Sequence, residues 1–324
     1  MNKNKKYIVS HAPHISGEER VQTVMLDVII ALFPSVIAAV IFFGYRAALL
    51  TAVCMFACIF FEWAWCKLLK KPSTIGDLSA AVTGIILAMN LPATLPFYQA
   101  VLGSLFAIII VKAFFGGLGH NFMNPAAAGR AFLLTSFAMP MTRWVEPFEK
   151  LHLINNADAI TSATPLSLYK AGEELTSFWN LFIGNRGGCI GETSAIAILI
   201  GFAYLLWRKV IDYKCPLSYV LTTFVLSACF GGTLYSGIYH VFAGGLLFSA
   251  VFMVTDYTTT PYTPWGKVIF GIGCGLITVL IRFFGGYPEG VTYGILLMNV
   301  ASPLIEKYTH PRRFGKVKEA KENA

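Results

Sequence analysis

The run VIIALFPSVIAAVIFF, Val28 to Phe43, is followed after Gly44-Tyr45-Arg46 by AALLTAVCMFACIFFEWAWC, Ala47 to Cys66. Each stretch approaches or reaches the ~20 apolar residues that a helix needs to cross a bilayer, and the second carries only one charge, Glu62. Reading outward for apolar runs bounded by Gly, Pro and charge gives ten candidate helices, at 28–43, 47–66, 77–91, 97–115, 125–141, 193–207, 215–231, 238–255, 265–284 and 290–305. The chain of 324 residues is 56% hydrophobic and 13% charged, against about 45–50% and about 25% in soluble domains. The fold class that follows is an all-α polytopic membrane protein of about ten transmembrane helices. Several runs fall short of a straight span, the third and sixth most of all, and short segments broken by Gly or Pro often line a site.

The basic residues test the topology. With a cytoplasmic N-terminus, 18 of the 25 Lys and Arg fall in inside segments and 6 outside, while Arg130 lies within the fifth helix. Both termini are therefore expected to be cytoplasmic. The net charge of +8 then needs no nucleic-acid partner, although the basic tail after Lys307 can meet anionic lipid. The polar stretch to about Gln22 lacks the apolar core of a cleavable leader, so the first helix is expected to remain as an anchor.

Phe114-Phe115-Gly116-Gly117 recurs as Phe283-Phe284-Gly285-Gly286, an offset of 169 residues, and five candidate helices fall in each half. An odd number per half forces opposite orientations, which predicts a five-plus-five inverted repeat. The expected organisation is a cytoplasmic N-terminal segment (1–24), a first membrane half (25–141), an external loop (142–192), a second half (193–305) and a basic cytoplasmic tail (306–324). The loop is too short for an independent core and too apolar for disorder, so it should pack on the membrane part. Trp144 and Trp179 read singly as interfacial anchors.

Familiar chemistry is mostly absent from the motifs. No Gly-x-Gly-x-x-Gly follows a strand, and neither a Walker loop nor His-Glu-x-x-His occurs. The seven cysteines form no Cys-x-x-Cys pair; Cys54 and Cys58, one helical turn apart, read as buried thiols, and an iron–sulfur cluster held by this chain alone is not expected. One intramembrane charge stands out. Asn124-Pro125-Ala126-Ala127-Ala128-Gly129-Arg130 is a small-residue run that lets a helix backbone approach a neighbour closely while the guanidinium meets an anion or a carbonyl. A helix-packing seam with a structural Arg explains the run equally well.

At these residues the sequence resembles a known family. Asn124 to Phe132, Asp158-Ala159-Ile160-Thr161-Ser162-Ala163-Thr164-Pro165-Leu166, Gly191-Glu192-Thr193-Ser194-Ala195, Tyr287-Pro288-Glu289-Gly290 and Leu296-Leu297-Met298-Asn299 together resemble the D subunits of the Rnf ion-translocating electron transport complexes. The B subunits of the sodium-translocating NADH:quinone reductase, Nqr, are similar but have a longer N-terminal region. The match runs from Ser10 to about Gly315. It implies ten helices, placement in a bacterial or archaeal inner membrane, and FMN joined by a phosphoester to the last Thr of a Ser/Thr-Gly-Ala-Thr motif. Here that residue is Thr164, with Ser162 where Gly is usual; Ser162, Asp158 and Arg130 are the further cofactor-binding candidates. The competing acceptor, Thr161, lacks the small residues that precede Thr164.

The implied function is electron transfer between reduced ferredoxin and NAD within a multisubunit redox pump that exports sodium or protons. NAD and iron–sulfur sites then belong to other subunits, including an external flavoprotein. A second, noncovalent flavin such as riboflavin is a further option for the membrane part. The alternative from another class is an inverted-repeat solute channel or secondary transporter, which needs a polar midplane path and no role for Thr164.

Overall fold

A computed structural model describes residues 20–149, 162–173, 175–286 and 289–310. These residues build an all-helical protein, with no strand element among them. The first half starts with α1 (Val21–Phe43) and α2 (Tyr45–Leu68), separated only by Gly44. Gly44 takes φ +69, a left-handed value that a side chain would resist, and so reverses the chain in one residue. A 3-10 turn (Ile75–Asp77) leads into α3 (Ser79–Met89), α4 (Phe97–Leu105) continues as a π-helical run through Phe106–Ala113, and α5 (Pro125–Ser136) is followed by the single turn α6 (Ala138–Met141). The connecting segment contributes α7 (Pro165–Ala171) and α8 (Phe178–Ile183). The second half contains α9 (Ala195–Trp207), α10 (Lys214–Gly231), α11 (Leu234–Phe242), α12 (Leu246–Phe252), α13 (Pro264–Phe284) and α14 (Val291–Thr309).

Every expected apolar segment is helical, but their lengths differ. α1, α2, α10 and α13 are long and apolar enough to cross a membrane, and α11 with α12 forms a fifth span bent by 60°. α3, α9 and the continuous Phe97–Ala113 segment are shorter apolar helices. The physical reason for the shortening is visible at α3. Ten of its eleven residues are buried, so this helix is surrounded by protein and need not span lipid. The chain beyond it, Leu91 to Leu95, is also buried yet not helical, and its carbonyls need donors. Arg46 supplies them: its Nε donates to Ala93 O at 2.7 Å, and its Nη2 to Leu95 O at 3.1 Å and Thr94 O at 3.3 Å. Sequence reading placed Arg46 in an outside connection; it lies in the first turn of α2 and is buried.

Small residues let the helices touch. A Cβ on Gly84 of α3 would lie 2.7 Å from Met55 Cα and 2.8 Å from Cys54 O in α2. On Gly201 of α9 it would collide with Ala31 O in α1. Such contacts between backbones, rather than interdigitated large side chains, are a usual basis of helix association in lipid. The outward faces are apolar: Phe33, Ile37 and Ile41 on α1, Leu217, Leu221 and Val225 on α10, and Ile269, Ile272, Leu276 and Leu280 on α13 are all exposed. Stripes at helical spacing around a buried interior are what a lipid-facing protein shows. The halves join through α1 against α9 and α5 against α14.

Candidate functional site

The connecting segment reaches the membrane part through α7. Thr164 caps that helix, its Oγ1 accepting from Ser167 N at 3.2 Å, and Pro165 follows at the first helical position, where its missing N–H costs nothing. α7 is fastened to α11: Tyr239 Oη donates to Pro165 O at 2.9 Å, and Tyr169 Oη and Ser236 Oγ lie 2.8 Å apart. Thr164 is half-buried and Ala163 is exposed. Ser162 N donates to Trp144 O at 2.9 Å. Ser162 Oγ packs where a Cβ on Gly187 would collide with it. Gly187 thus leaves the space that the Ser162 hydroxyl fills.

Thr164 opens onto a narrow cleft that is also lined by Trp144, Arg186, Gly187, Glu192 and Glu289. Around its floor lies a buried cluster of three arginines and two glutamates. Arg130 of α5 pairs with Glu289 Oε2, and its other contacts are Asn90 Oδ1 at 3.1 Å and Cys189 Sγ at 3.4 Å. Glu289 Oε1 accepts from Gly245 N at 2.5 Å, in the bend between α11 and α12. Arg186 Nη2 donates to Glu192 O at 2.7 Å and to Gly244 O at 3.5 Å. Arg282 of α13 donates from Nη1 to His240 O at 2.5 Å and from Nη2 to Ala243 O at 3.2 Å. A Cβ on Gly245 would collide with Glu192 Oε2 and lie 3.0 Å from Glu289 Oε1, so the two carboxylates converge on the space beside one glycine.

The electrostatics follow from that proximity. Burial, reinforced by the Glu289 charge, pushes the Glu192 carboxyl up to about 7, although Arg130, Arg186 and the Cys189 N–H pull the other way. For Glu289 burial also acts upward, but Arg130, the Gly245 N–H and Arg282 outweigh it and hold the group below the ordinary carboxylate range. Glu289 is therefore ionised at neutral pH, while Glu192 holds its proton to a higher pH than an ordinary carboxyl does. Three guanidinium groups facing one to two carboxylates leave the cluster net positive. Arg186 Nη1 and Glu192 Oε2 are buried without a hydrogen-bond partner among the described residues.

Of the residues singled out in the sequence, Thr164 lines this cleft, and Ser162 packs against Gly187, which lines it. Asp158 and Thr161 lie outside the described residues. Arg130 is at the same end of the molecule but is engaged by Glu289 and Asn90 rather than lining the cleft. Sequence reading gave no role to Glu192 or Glu289, though both occur in the quoted motifs, and it counted Arg282 as an outside loop residue whereas it is buried in the last turn of α13. The signal that could have found the two glutamates was the pairing of charge with glycine, in Gly191-Glu192 and Glu289-Gly290.

A second cleft lies at the starting ends of α3 and α5, with Val82, Ile86 and Val251 among its apolar walls and Lys112, Asn124 and Asp256 among its polar ones. Lys112 Nζ donates to Glu62 Oε1 at 2.9 Å and Ser79 Oγ at 2.6 Å, so this cation is internally compensated.

Comparison with known proteins agrees with the motifs. The chain is 47% identical to the D subunit of the Na(+)-translocating ferredoxin:NAD(+) oxidoreductase complex of Acetobacterium woodii, with 97% of each chain covered. It is 40% identical, again over 97% of each chain, to the D subunit of the proton-translocating ferredoxin:NAD(+) oxidoreductase complex of Clostridium ljungdahlii. The D subunit of an ion-translocating oxidoreductase complex of Actinobacillus succinogenes is 34% identical over 95% of this chain and 97% of its own. The family model described as NQR2, RnfD, RnfE matches residues 8–315, and with relatives of this identity and coverage the chain belongs to that family.

Proposed function

We propose that this chain is the membrane-embedded D subunit of an ion-translocating ferredoxin:NAD oxidoreductase complex in the cell membrane, and that Thr164 carries FMN through a phosphoester. The relatives' names support the first part. The second rests on one observation: Thr164 opens onto a cleft whose buried Arg186 has an unpartnered Nη1, within a cluster of net positive charge. A phosphodiester keeps one negative charge, which a guanidinium there would pair with by a charge-assisted hydrogen bond. The residues fit the group. Thr164 Oγ1 accepts from Ser167 N, and an ester oxygen can keep accepting, so attachment need not uncap α7.

Bound flavin would supply one- and two-electron chemistry. The chain's own part is to hold it. α7 fixes the acceptor hydroxyl against α11, Arg186 offers the counter-charge, and the exposed Ala163 leaves the approach open to a modifying enzyme. With 142–192 on the outer side, this site would face an external flavoprotein subunit, while nucleotide and iron–sulfur chemistry would reside in other subunits. The second cleft, with its apolar walls, suits a noncovalent flavin such as riboflavin. The test is in-gel fluorescence of the denatured subunit from cells expressing the whole complex. A fluorescent band that is lost in Thr164→Ala supports the reading. A dark band in the unaltered protein contradicts it and favours a transporter without covalent flavin.

A further inference from the structure

The buried helix α3 is tied at each end to the walls of a different cleft. At its start, Ser79 N and Ser79 Oγ donate to Asp77 Oδ1 at 2.8 and 2.5 Å, and Ser79 Oγ accepts from Lys112 Nζ at 2.6 Å. Ser79, Val82, Thr83 and Ile86 line the second cleft together with Lys112. At the far end, about 16 Å away by helical rise, Asn90 Oδ1 accepts from Arg130 Nη1 and Asn90 O accepts from Cys189 Sγ at 3.2 Å. Gly191 N donates to Met89 O at 2.9 Å, and Ile190 N to Leu91 O at 3.1 Å. The next residue is Glu192, a wall of the Thr164 cleft.

Between these ties the helix has the features of a body that moves as a unit. Ala80, Gly84 and Ala88 fall at i, i+4 and i+8 on one face. Ala80 clusters with Cys58 of α2, and Gly84 lies against the backbone of Cys54 and Met55. A face of small side chains has little to interlock with its neighbour, which suits the short sliding of one packed helix on another. The entry to α3 is strained. Leu78 takes φ +62 and ψ 2, left-handed values that a bulky side chain resists. Such a conformation persists only where its surroundings hold it, and here the bonds among Asp77, Ser79 and Lys112 do so.

We propose that α3 is a coupling element: it moves as one rigid body hinged at Leu78, and so links the state of the Thr164 cleft to that of the second cleft. In the tied arrangement described above, Leu78 is strained and Cys189 is sealed against Asn90. In the shifted arrangement Leu78 leaves the left-handed region, Ser79 parts from Lys112, and the Asn90–Cys189 contact opens. A ligand that favours one arrangement at either cleft then biases the other cleft, and linkage makes the effect reciprocal. Nothing in this coupling requires a group on Thr164.

The test is N-ethylmaleimide labelling of the intact complex, read at Cys189 by mass spectrometry. Cys189 is fully buried, so its labelling rate reports how often the shifted arrangement opens. Ser79→Ala removes the Lys112 contact at the opposite end of α3 while leaving Lys112 on Glu62, and should speed Cys189 labelling several-fold. Leu78→Gly relieves the strain of the tied arrangement and should slow it several-fold. Lys267→Gln breaks an ion pair with Asp212 between α13 and the turn before α10, and should leave the rate unchanged. In the reverse direction, Asn90→Ala should speed labelling of a cysteine placed in the second cleft by Thr83→Cys. A Cys189 rate unmoved by Ser79→Ala, raised by Leu78→Gly, or raised as much by Lys267→Gln overturns the coupling, as does a Thr83→Cys rate that Asn90→Ala leaves unchanged.

Discussion

Arg130→Ala removes the guanidinium that faces Glu289 Oε2, Asn90 Oδ1 and Cys189 Sγ. Arg130 is buried and Glu289 largely so, with side chains 5% and 18% exposed. Deleting one partner of such a pair costs about 3–5 kcal/mol, because the other charge is left without compensation. Here Glu289 keeps the Gly245 N–H and the field of Arg282, which places the loss near ~3 kcal/mol, the lower end of that range. Removing both charges in Arg130→Met with Glu289→Gln should recover most of it, since an apolar replacement of a buried pair is often close to neutral. The coupling between the two sites is then expected to be about 2 kcal/mol. Thermal unfolding of the purified chain in detergent, followed with a thiol-reactive dye, reports the change, because Cys54, Cys58, Cys189 and Cys274 are buried in the fold. The single variant should melt lower by on the order of 5 °C, and the double variant should lie between it and the unaltered protein. A double variant no more stable than Arg130→Ala, or a single variant that melts unchanged, would refute the reasoning.

Glu192→Gln tests the shared proton. The folded carboxyl titrates at about 7 against an ordinary 4.5, so the folded state binds more protons in that window and stability falls as pH rises through it. The variant should lose this slope and above pH 7 exceed the unaltered protein by up to about 3 kcal/mol, read from melting temperatures across a pH series; parallel curves would contradict the shift. Gly84→Ala, which forces a Cβ onto the backbone of α2, should destabilise by about 1–3 kcal/mol in the same melting assay, and a neutral result would show that α2 and α3 can part freely. For topology, a cysteine introduced near Lys170 should be labelled by an impermeant reagent in intact cells while one near residue 318 is protected, and the opposite pattern would invert the orientation.

The helical framework was legible because apolar run length is a local signal: each expected segment, from 28–43 to 290–305, coincides with helix. Which helices fall short of a span was less legible. α3 is apolar all round because it is packed in protein, and composition cannot separate that from a lipid-facing helix. The Arg46 cap on the 91–95 segment was invisible for a related reason, since its partners are backbone carbonyls. The charged cluster draws Arg130 from α5, Arg186 and Glu192 from the connecting segment, Arg282 from α13 and Glu289 from the turn before α14. Periodicity along one element carries no information about which distant charges meet. The motif around Thr164 could be read as a string, but the string does not say which basic residue of the loop, Arg143, Lys150, Lys170 or Arg186, would stand beside it. Folding puts Arg186 in the Thr164 cleft and leaves Lys170 exposed on α7, while Lys150 lies outside the described residues.

The central claim is the covalent flavin, and the most direct measurement is mass spectrometry of the loop peptide from the protein purified with its complex. The peptide containing Thr161 to Thr164 should carry the mass of FMN less one water, and fragmentation should place it on Thr164. The addition should vanish in Thr164→Ala. An unmodified peptide in the complete complex, or flavin found on Thr161, would contradict the account.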